Sequence, residues 1–266
     1  MMPIVDGTSF IYSVKQGDTL YSIASNIGGT VPLLVESNAI YPPITDLYSI
    51  FPGQILVIST PGNRKVNHIV HRGEQLHQIA QRYATSVDLL QGINSQIQNP
   101  DLIYQNQTLH VPAFIYLVEQ GDTLTNIAQR FGVSPSTLLE ANQNRPGISP
   151  DIIYPGYQLI IPLPTSNNIA VFQPLPGTPI QEGLNLEGYA RAFEGTIHYR
   201  IIDQNNKKVT EERSTQTTEG APAYGKYSTA ITFDRQPSTQ LGELWVYTRS
   251  ARDGSIQDLV QLSVIF

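Results

Sequence analysis

Along the N-terminal part of the chain, the spacing of apolar positions passes three times from a period of two to a helical period and back. In the first pass, Ile11 to Val14 alternate with β character, and Leu20, Ile23, Ala24 and Ile27 then recur on one helical face. Gly17 supplies a permissive backbone between the two, and Asp18 and Thr19 are residue types that cap helix N-termini. A second helix follows in each pass, over Leu33–Asn38, over Val87–Asn94, and from Pro135 to about Asn142, with Ser134 as N-cap and Pro135 in the first helical position. Short strands at Ile55–Ile58, Leu109–Val111 and Leu159–Ile161 close the passes. The predicted order is strand, helix, helix, strand, three times over. After Leu163–Asn168 the pattern alternates throughout. Strands are predicted near Ile169–Phe172, over Leu184–Ala190, Ile197–Ile201, Val209–Thr217, Tyr227–Phe233, Leu244–Thr248 and Val260–Phe266. Seven short strands separated by turn signals such as Asp253-Gly254 predict an immunoglobulin-like sandwich, with Trp245 in its core.

The three passes also repeat in their residues. Val14-x-x-Gly17-Asp18-Thr19-Leu20-x-x-Ile23-Ala24 returns as Val118-x-x-Gly121-Asp122-Thr123-Leu124-x-x-Ile127-Ala128. The middle copy, Val70-x-x-Gly73-Glu74-Gln75-Leu76-x-x-Ile79-Ala80, keeps the spacing with two substitutions. A second formula answers each: Ile50-Phe51-Pro52-Gly53-Gln54, Ile103-Tyr104-Gln105-Asn106-Gln107 and Ile153-Tyr154-Pro155-Gly156-Tyr157. One small unit used repeatedly argues for a surface built by repetition, not for one catalytic centre. Ser59 to Asn67 has the composition of a flexible linker that would let the first unit move, whereas Pro112, Ala113 and Phe114 join the second and third units with almost none.

Composition removes several functions. The net charge is -6, with no basic cluster of the kind nucleic acid requires. There is no cysteine, which excludes disulfides and thiolate metal sites. No apolar run approaches the roughly 20 residues of a membrane helix, and Met1 to Phe10 shows no signal-peptide pattern. The five histidines, His68, His71, His77, His110 and His198, form no His-Glu-x-x-His motif, and there is no Gly-x-Ser-x-Gly elbow. The adjacent Glu211 and Glu212 lie in what reads as a polar strand, not in a cleft suited to glycosidase chemistry. The sequence therefore reads as that of a non-enzyme with no cofactor and no metal.

The paired formulae, with the asparagine that ends each second helix, resemble the LysM domain, a βααβ module that binds glycans containing N-acetylglucosamine. The resemblance covers 11–58, 68–112 and 116–162. Over 169–266, Pro174-x-Pro176-Gly177, Gly188-x-Ala190-x-x-Phe193-Glu194 and Ser250-Ala251-x-Asp253-Gly254-Ser255 resemble the immunoglobulin-like Gmad2 domain of sporulation and spore-germination proteins. The implied fold class is α+β and all-β multidomain, three small modules and a C-terminal sandwich. The resemblance implies a shallow groove between two loops in each module. In the third copy these are Gly121, Asp122, Thr123 and Leu124 with Ile153, Tyr154, Pro155 and Gly156; in the first, Gly17, Asp18, Thr19 and Leu20 with Ile50, Phe51, Pro52 and Gly53. The second copy departs from the formula in both loops, which ranks it below the others and suits it to a spacer or packing role.

Capping alone also accounts for Asp18, Thr19, Asp122 and Thr123, and packing for the glycines, the leucines and the rings of Phe51, Tyr104 and Tyr154. Phe193 and Glu194 read either as a functional edge or as a core ring followed by a turn carboxylate. The implied ligand is peptidoglycan or a chito-oligosaccharide. The implied location is the cell wall, the spore surface or the extracellular space, with either the grooves or a protein partner of the sandwich as the main interaction.

Overall fold

The computed structural model describes residues 3–38, 46 and 48–266. The part of the first module between its second helix and Asp46 lies outside the described residues. The chain forms two compact units. One comprises Met1–Tyr83, Gln96–Ala128 and Ser134–Pro162; the other comprises Ala84–Ser95, Gln129–Val133 and Leu163–Phe266.

In the first module, β1 (Thr8–Ser13) leads to α1 (Leu20–Ile27) and α2 (Val31–Ser37), and β2 (Ile55–Thr60) returns antiparallel to β1, with Ile11 opposite Val57. Leu20, Ile23 and Ala24 of α1 meet Tyr12, Val14, Leu34, Leu56 and Ile58 in one apolar cluster, as the helical spacing requires. The second module runs β3 (Lys65–Ile69), α3 (Leu76–Arg82), α4 (Val87–Gly92) and β4 (Thr108–His110). The third runs β5 (Ala113–Leu117), α5 (Leu124–Phe131), α6 (Pro135–Ala141) and β6 (Gln158–Pro162).

The modules do not stand apart as beads. Strand β3 pairs parallel with β1, from Thr8 opposite Lys65 to Ile11 opposite His68, so β2, β1, β3 and β4 form one four-stranded sheet. This corrects the reading of Ser59–Asn67 as a flexible linker: its last residues are ladder residues, and their backbone bonds hold the first module on the second. The third module is tied in as well. Val5 N–H donates to Ile115 O at 2.9 Å, Ile55 N–H to Asn144 O at 2.9 Å, and Gln81 Nε2 to Glu140 Oε1 at 2.6 Å.

The C-terminal strands are β7 (Ile169–Gln173), β8 (Asn185–Ala190), β9 (Thr196–Asp203), β10 (Lys208–Gln216), β11 (Gly225–Ala230), β12 (Leu241–Arg249) and β13 (Ile256–Ile265). They form two sheets, ordered β10-β9-β12-β13 and β11-β8-β7. Between them lie Val171, Leu186, Ile197, Tyr199, Ile201, Leu244, Val246, Val260 and Leu262. Alternation along β9 and β12 sends Arg200 and Trp245 to the opposite face. Trp245 is half-buried there, with the Arg200 guanidinium 4.0 Å from its ring centre, so it belongs to the outer face and not to the core. Helix α4 belongs to the same compact unit. A Cβ on Gly92 would fall 2.0 Å from the ring of Tyr224, and the Tyr224 hydroxyl donates to Asn167 O at 2.7 Å.

Candidate functional site

In every module the two formula segments meet through the same pair of backbone hydrogen bonds. Val14 N–H donates to Gln54 O at 2.9 Å and Gly53 N–H to Val14 O at 2.8 Å. Val70 and Val118 make the same exchange, with Gln107 and Asn106 in the second module and with Tyr157 and Gly156 in the third. Each answering loop is itself a tight turn, closed by Gln54 N–H to Phe51 O at 3.0 Å, Gln107 N–H to Tyr104 O at 2.9 Å and Tyr157 N–H to Tyr154 O at 3.1 Å. The turn needs a left-handed residue, and Gly53 (φ 86), Asn106 (φ 69) and Gly156 (φ 86) supply it. Asparagine is the side-chain-bearing type that adopts this conformation most readily. The Pro-Gly to Gln-Asn change in the middle copy therefore preserves the loop that sequence reasoning treated as degenerate.

The opposite wall is the strand-to-helix turn. Thr19 caps α1 by accepting from Ser22 N–H at 3.0 Å, and Thr123 does the same for Asn126 N–H at 3.1 Å. The aspartates do other work. Asp18 accepts from the Tyr12 hydroxyl at 2.7 Å and from Lys15 N–H at 2.8 Å; Asp122 accepts from Tyr116 at 2.6 Å and from Glu119 N–H at 2.9 Å. They brace the turn from inside. In the second module a buried His68 replaces the tyrosine and Glu74 the aspartate, 2.9 Å apart, and Glu74 also accepts from His71 N–H at 3.0 Å. Burial pushes the Glu74 carboxyl up, but His68 and the His71 backbone outweigh this and hold it below the usual glutamate range.

Leu20 and Leu124 are buried beneath the turns, whereas Gly17, Thr19, Gly121 and Thr123 are exposed. Across from them Pro52, Gly53, Pro155 and Gly156 are exposed, Ile50, Ile153 and Tyr154 are half-buried, and Phe51 and Tyr104 stand 55% and 67% exposed. The structure thus brings together all the predicted residues of the two described loops, with the leucines and aspartates as supports and the exposed backbone and rings as surface. The exposed Tyr21, at 77%, was not singled out from sequence; its place directly after a buried leucine at a helix start is the signal that could have found it.

The final asparagine of each second helix has a defined task. Asn142 Nδ2 donates to Leu138 O and Ile160 O, both at 2.8 Å, and its Oδ1 accepts from Ile160 N–H at 2.9 Å. Asn38 makes the equivalent bonds to Leu34 and Val57. The side chain staples helix to strand behind the groove.

Three βααβ units, each closing a strand-to-helix turn against an answering loop, make one small module repeated in tandem. The LysM domain family model matches residues 12–59, 68–112 and 116–162, and the model described as the immunoglobulin-like domain of bacterial spore germination, Gmad2, matches 168–255. The chain belongs to the LysM family, with three tandem copies followed by a Gmad2 domain. LysM membership indicates binding of glycans containing N-acetylglucosamine.

The chain is similar to an autolysin of Enterococcus faecalis, 31% identical over 218 residues that cover 67% of this chain and 28% of the autolysin. It is also similar to the N-acetylmuramoyl-L-alanine amidase sle1 of Staphylococcus epidermidis, 26% identical over 174 residues covering 57% and 50% of the respective chains. Among solved structures, the Bacillus cereus spore cortex-lytic enzyme SleL matches with 31% identity and a TM-score of 0.28, over 40% of this chain and 22% of SleL. This chain therefore spans half or less of the length of these relatives.

Proposed function

We propose that the chain is a non-catalytic glycan anchor whose two-loop grooves hold peptidoglycan through its N-acetylglucosamine units, at a cell wall or on a spore. The observation that carries this reading is the repeated pair of backbone bonds at Val14, Val70 and Val118, which sets the same two loops edge to edge three times. An acetamido group presents one donor and one acceptor; the exposed carbonyls of Pro52, Gly53, Pro155 and Gly156 are placed to accept, and the N–H groups of Gly17 and Gly121 to donate. Phe51, Tyr104 and Tyr154 offer ring surface to the sugar's C–H face.

The matched relatives bear the names of lytic enzymes, but the family models that fit this chain are those of binding domains. The adjacent glutamates do not read as a catalytic pair: Glu211 is bonded to Lys208 at 2.8 Å, and Glu212 to Arg249 and to the Tyr247 hydroxyl at 2.5 Å. Because the first two modules share a sheet, their grooves meet a glycan strand in a fixed relation, and linkage raises avidity by about 10² where two engage at once. The test is co-sedimentation of the full chain with purified peptidoglycan, with Phe51→Ala, Tyr104→Ala and Tyr154→Ala compared. Retention in the pellet, weakened by these truncations, supports the anchor; a chain that stays in the supernatant refutes it.

A second reading, a protein partner docked on the sandwich, is favoured by one observation: Phe193 is 65% exposed, beside Glu194 at φ 53. Of the two readings the sequence left open, a functional edge or a core ring, the exposed ring removes the second and leaves a surface turn. In that version deletion of the groove contacts leaves the principal interaction intact.

A further inference from the structure

Parallel pairing of β1 with β3 leaves a cavity of about 360 Å³ between the first and second modules, lined by Phe10, Tyr12, Ile23, Ile27 and Ile69 and rimmed by Lys15, Asn26, Asn106 and Thr108. We infer that this cavity is a separate subsite for a carboxylate-bearing N-acyl sugar, and that it makes the protein prefer peptidoglycan to chitin. The inference rests on the glycan-binding reading above but, apart from Asn106 of the second module's answering loop, on different residues from the two-loop grooves.

The volume lies at the lower end of the range for small-molecule sites. Phe10, Ile27 and Ile69 pack against the core of the first module yet stay only partly buried, so apolar surface remains open at the junction. Such a floor suits the C–H face of a pyranose and the methyl of an acyl group. Side-chain amides of Asn26 and Asn106 and the Thr108 hydroxyl give the rim donors and acceptors for sugar hydroxyls.

Charge sets the selectivity. Lys15 is the one charged residue of the lining. Its Nζ donates to Asn106 Oδ1 at 2.6 Å and lies 5.3 Å from the Tyr12 ring centre. The nearby Asp18 carboxylate is turned instead to Lys15 N–H and the Tyr12 hydroxyl. An ammonium has three donors, and a neutral amide oxygen occupies one here. The ammonium is thus held in place by a bond across the two modules, over an apolar cavity, with capacity for an anionic acceptor. Muramic acid residues of peptidoglycan bring such a group, either as a free lactyl carboxylate or as the carboxylates of an attached peptide. Chitin brings none.

The experiment is NMR titration of the full chain, labelled at isoleucine methyls, with three probes. These are chitobiose, the disaccharide of N-acetylglucosamine and N-acetylmuramic acid with its lactyl carboxylate free, and the same disaccharide carrying a peptide on that carboxyl. The expected result is about tenfold tighter binding of a carboxylated probe than of chitobiose, with shifts at Ile23, Ile27 and Ile69. The preference should vanish in Lys15→Met. It should vanish too in Asn26→Trp, which fills the cavity from the exposed face of α1 and leaves chitohexaose binding by the grooves unchanged. Preference for the free-lactyl probe or for the peptide-bearing one identifies which carboxylate is read. Equal affinity for all probes, a preference that survives Lys15→Met, or shifts confined to the groove loops would overturn the subsite. If chitohexaose still binds in that case, the groove reading stands alone; if no glycan binds, both readings fall.

Discussion

His68 and Glu74 are buried against each other in the second module, with Nε2 2.9 Å from Oε2, where the first module places Tyr12 and Asp18. A neutral hydroxyl–carboxylate bond has been exchanged for an imidazole–carboxylate bond in the same role. The folded pKa of Glu74 is lowered, so its contribution to stability is complete above the unfolded value of about 4.3 and is lost as pH falls below that toward the folded value. Urea melts across this acid range should show a steep loss in the wild type and a shallower one in Glu74→Gln, which is less stable at neutral pH.

Removal of the Asn142 side chain takes the partner from the Ile160 N–H and carbonyl and one acceptor from the buried Arg145 guanidinium, in a site with no solvent exposure. Asn142→Ala should cost about 3 kcal/mol, measured by denaturant unfolding. Asn142→Asp should cost less, because its carboxylate keeps the bonds from Ile160 N–H and from Arg145 Nη1 and loses only the donor to the carbonyls.

A Cβ at Gly53 would meet nothing within 4 Å, so a substitution there tests backbone conformation alone. Gly53→Ala should destabilise by about 1 kcal/mol, Gly53→Asn by less, and Asn106→Gly should leave the fold of its loop unchanged. Thermal melts of the three variants check the order.

At Gly92 the obstacle is steric, since an added methyl would lie 2.0 Å from the Tyr224 ring. Gly92→Ala should cost about 2 kcal/mol. Combination with Tyr224→Ala should cost clearly less than the two changes summed, which a double-mutant cycle reads directly.

Much of this was legible in the sequence. The change of apolar period placed helices at Leu20–Ile27 and Pro135–Ala141 and the strands of the sandwich, because burial of one face dictates that period. The loops of the candidate groove were legible from their repeated formulae. What was not legible depends on partners distant in the chain. Lys65–Ile69 looks like linker at its start because polar residues there are consistent with either a loop or an edge strand, and only the pairing with Thr8–Ile11 decides. Aspartate beside threonine at a helix start suggests two caps; that Asp18 and Asp122 point inward follows from Tyr12 and Tyr116, six residues earlier. Trp245 alternates correctly, but alternation alone does not say which face a large ring takes when an arginine can cover it.

The central claim is that the paired loops hold an N-acetylated glycan. Its most direct test is backbone amide shift mapping of the full chain during titration with chitohexaose. The account predicts the largest shifts at Gly17–Leu20, Phe51 and Gly53, Gly121–Leu124, and Ile153, Tyr154 and Gly156, with smaller ones at Tyr104–Asn106. Unchanged amides at these loops, or shifts gathered in the sandwich strands, would contradict it.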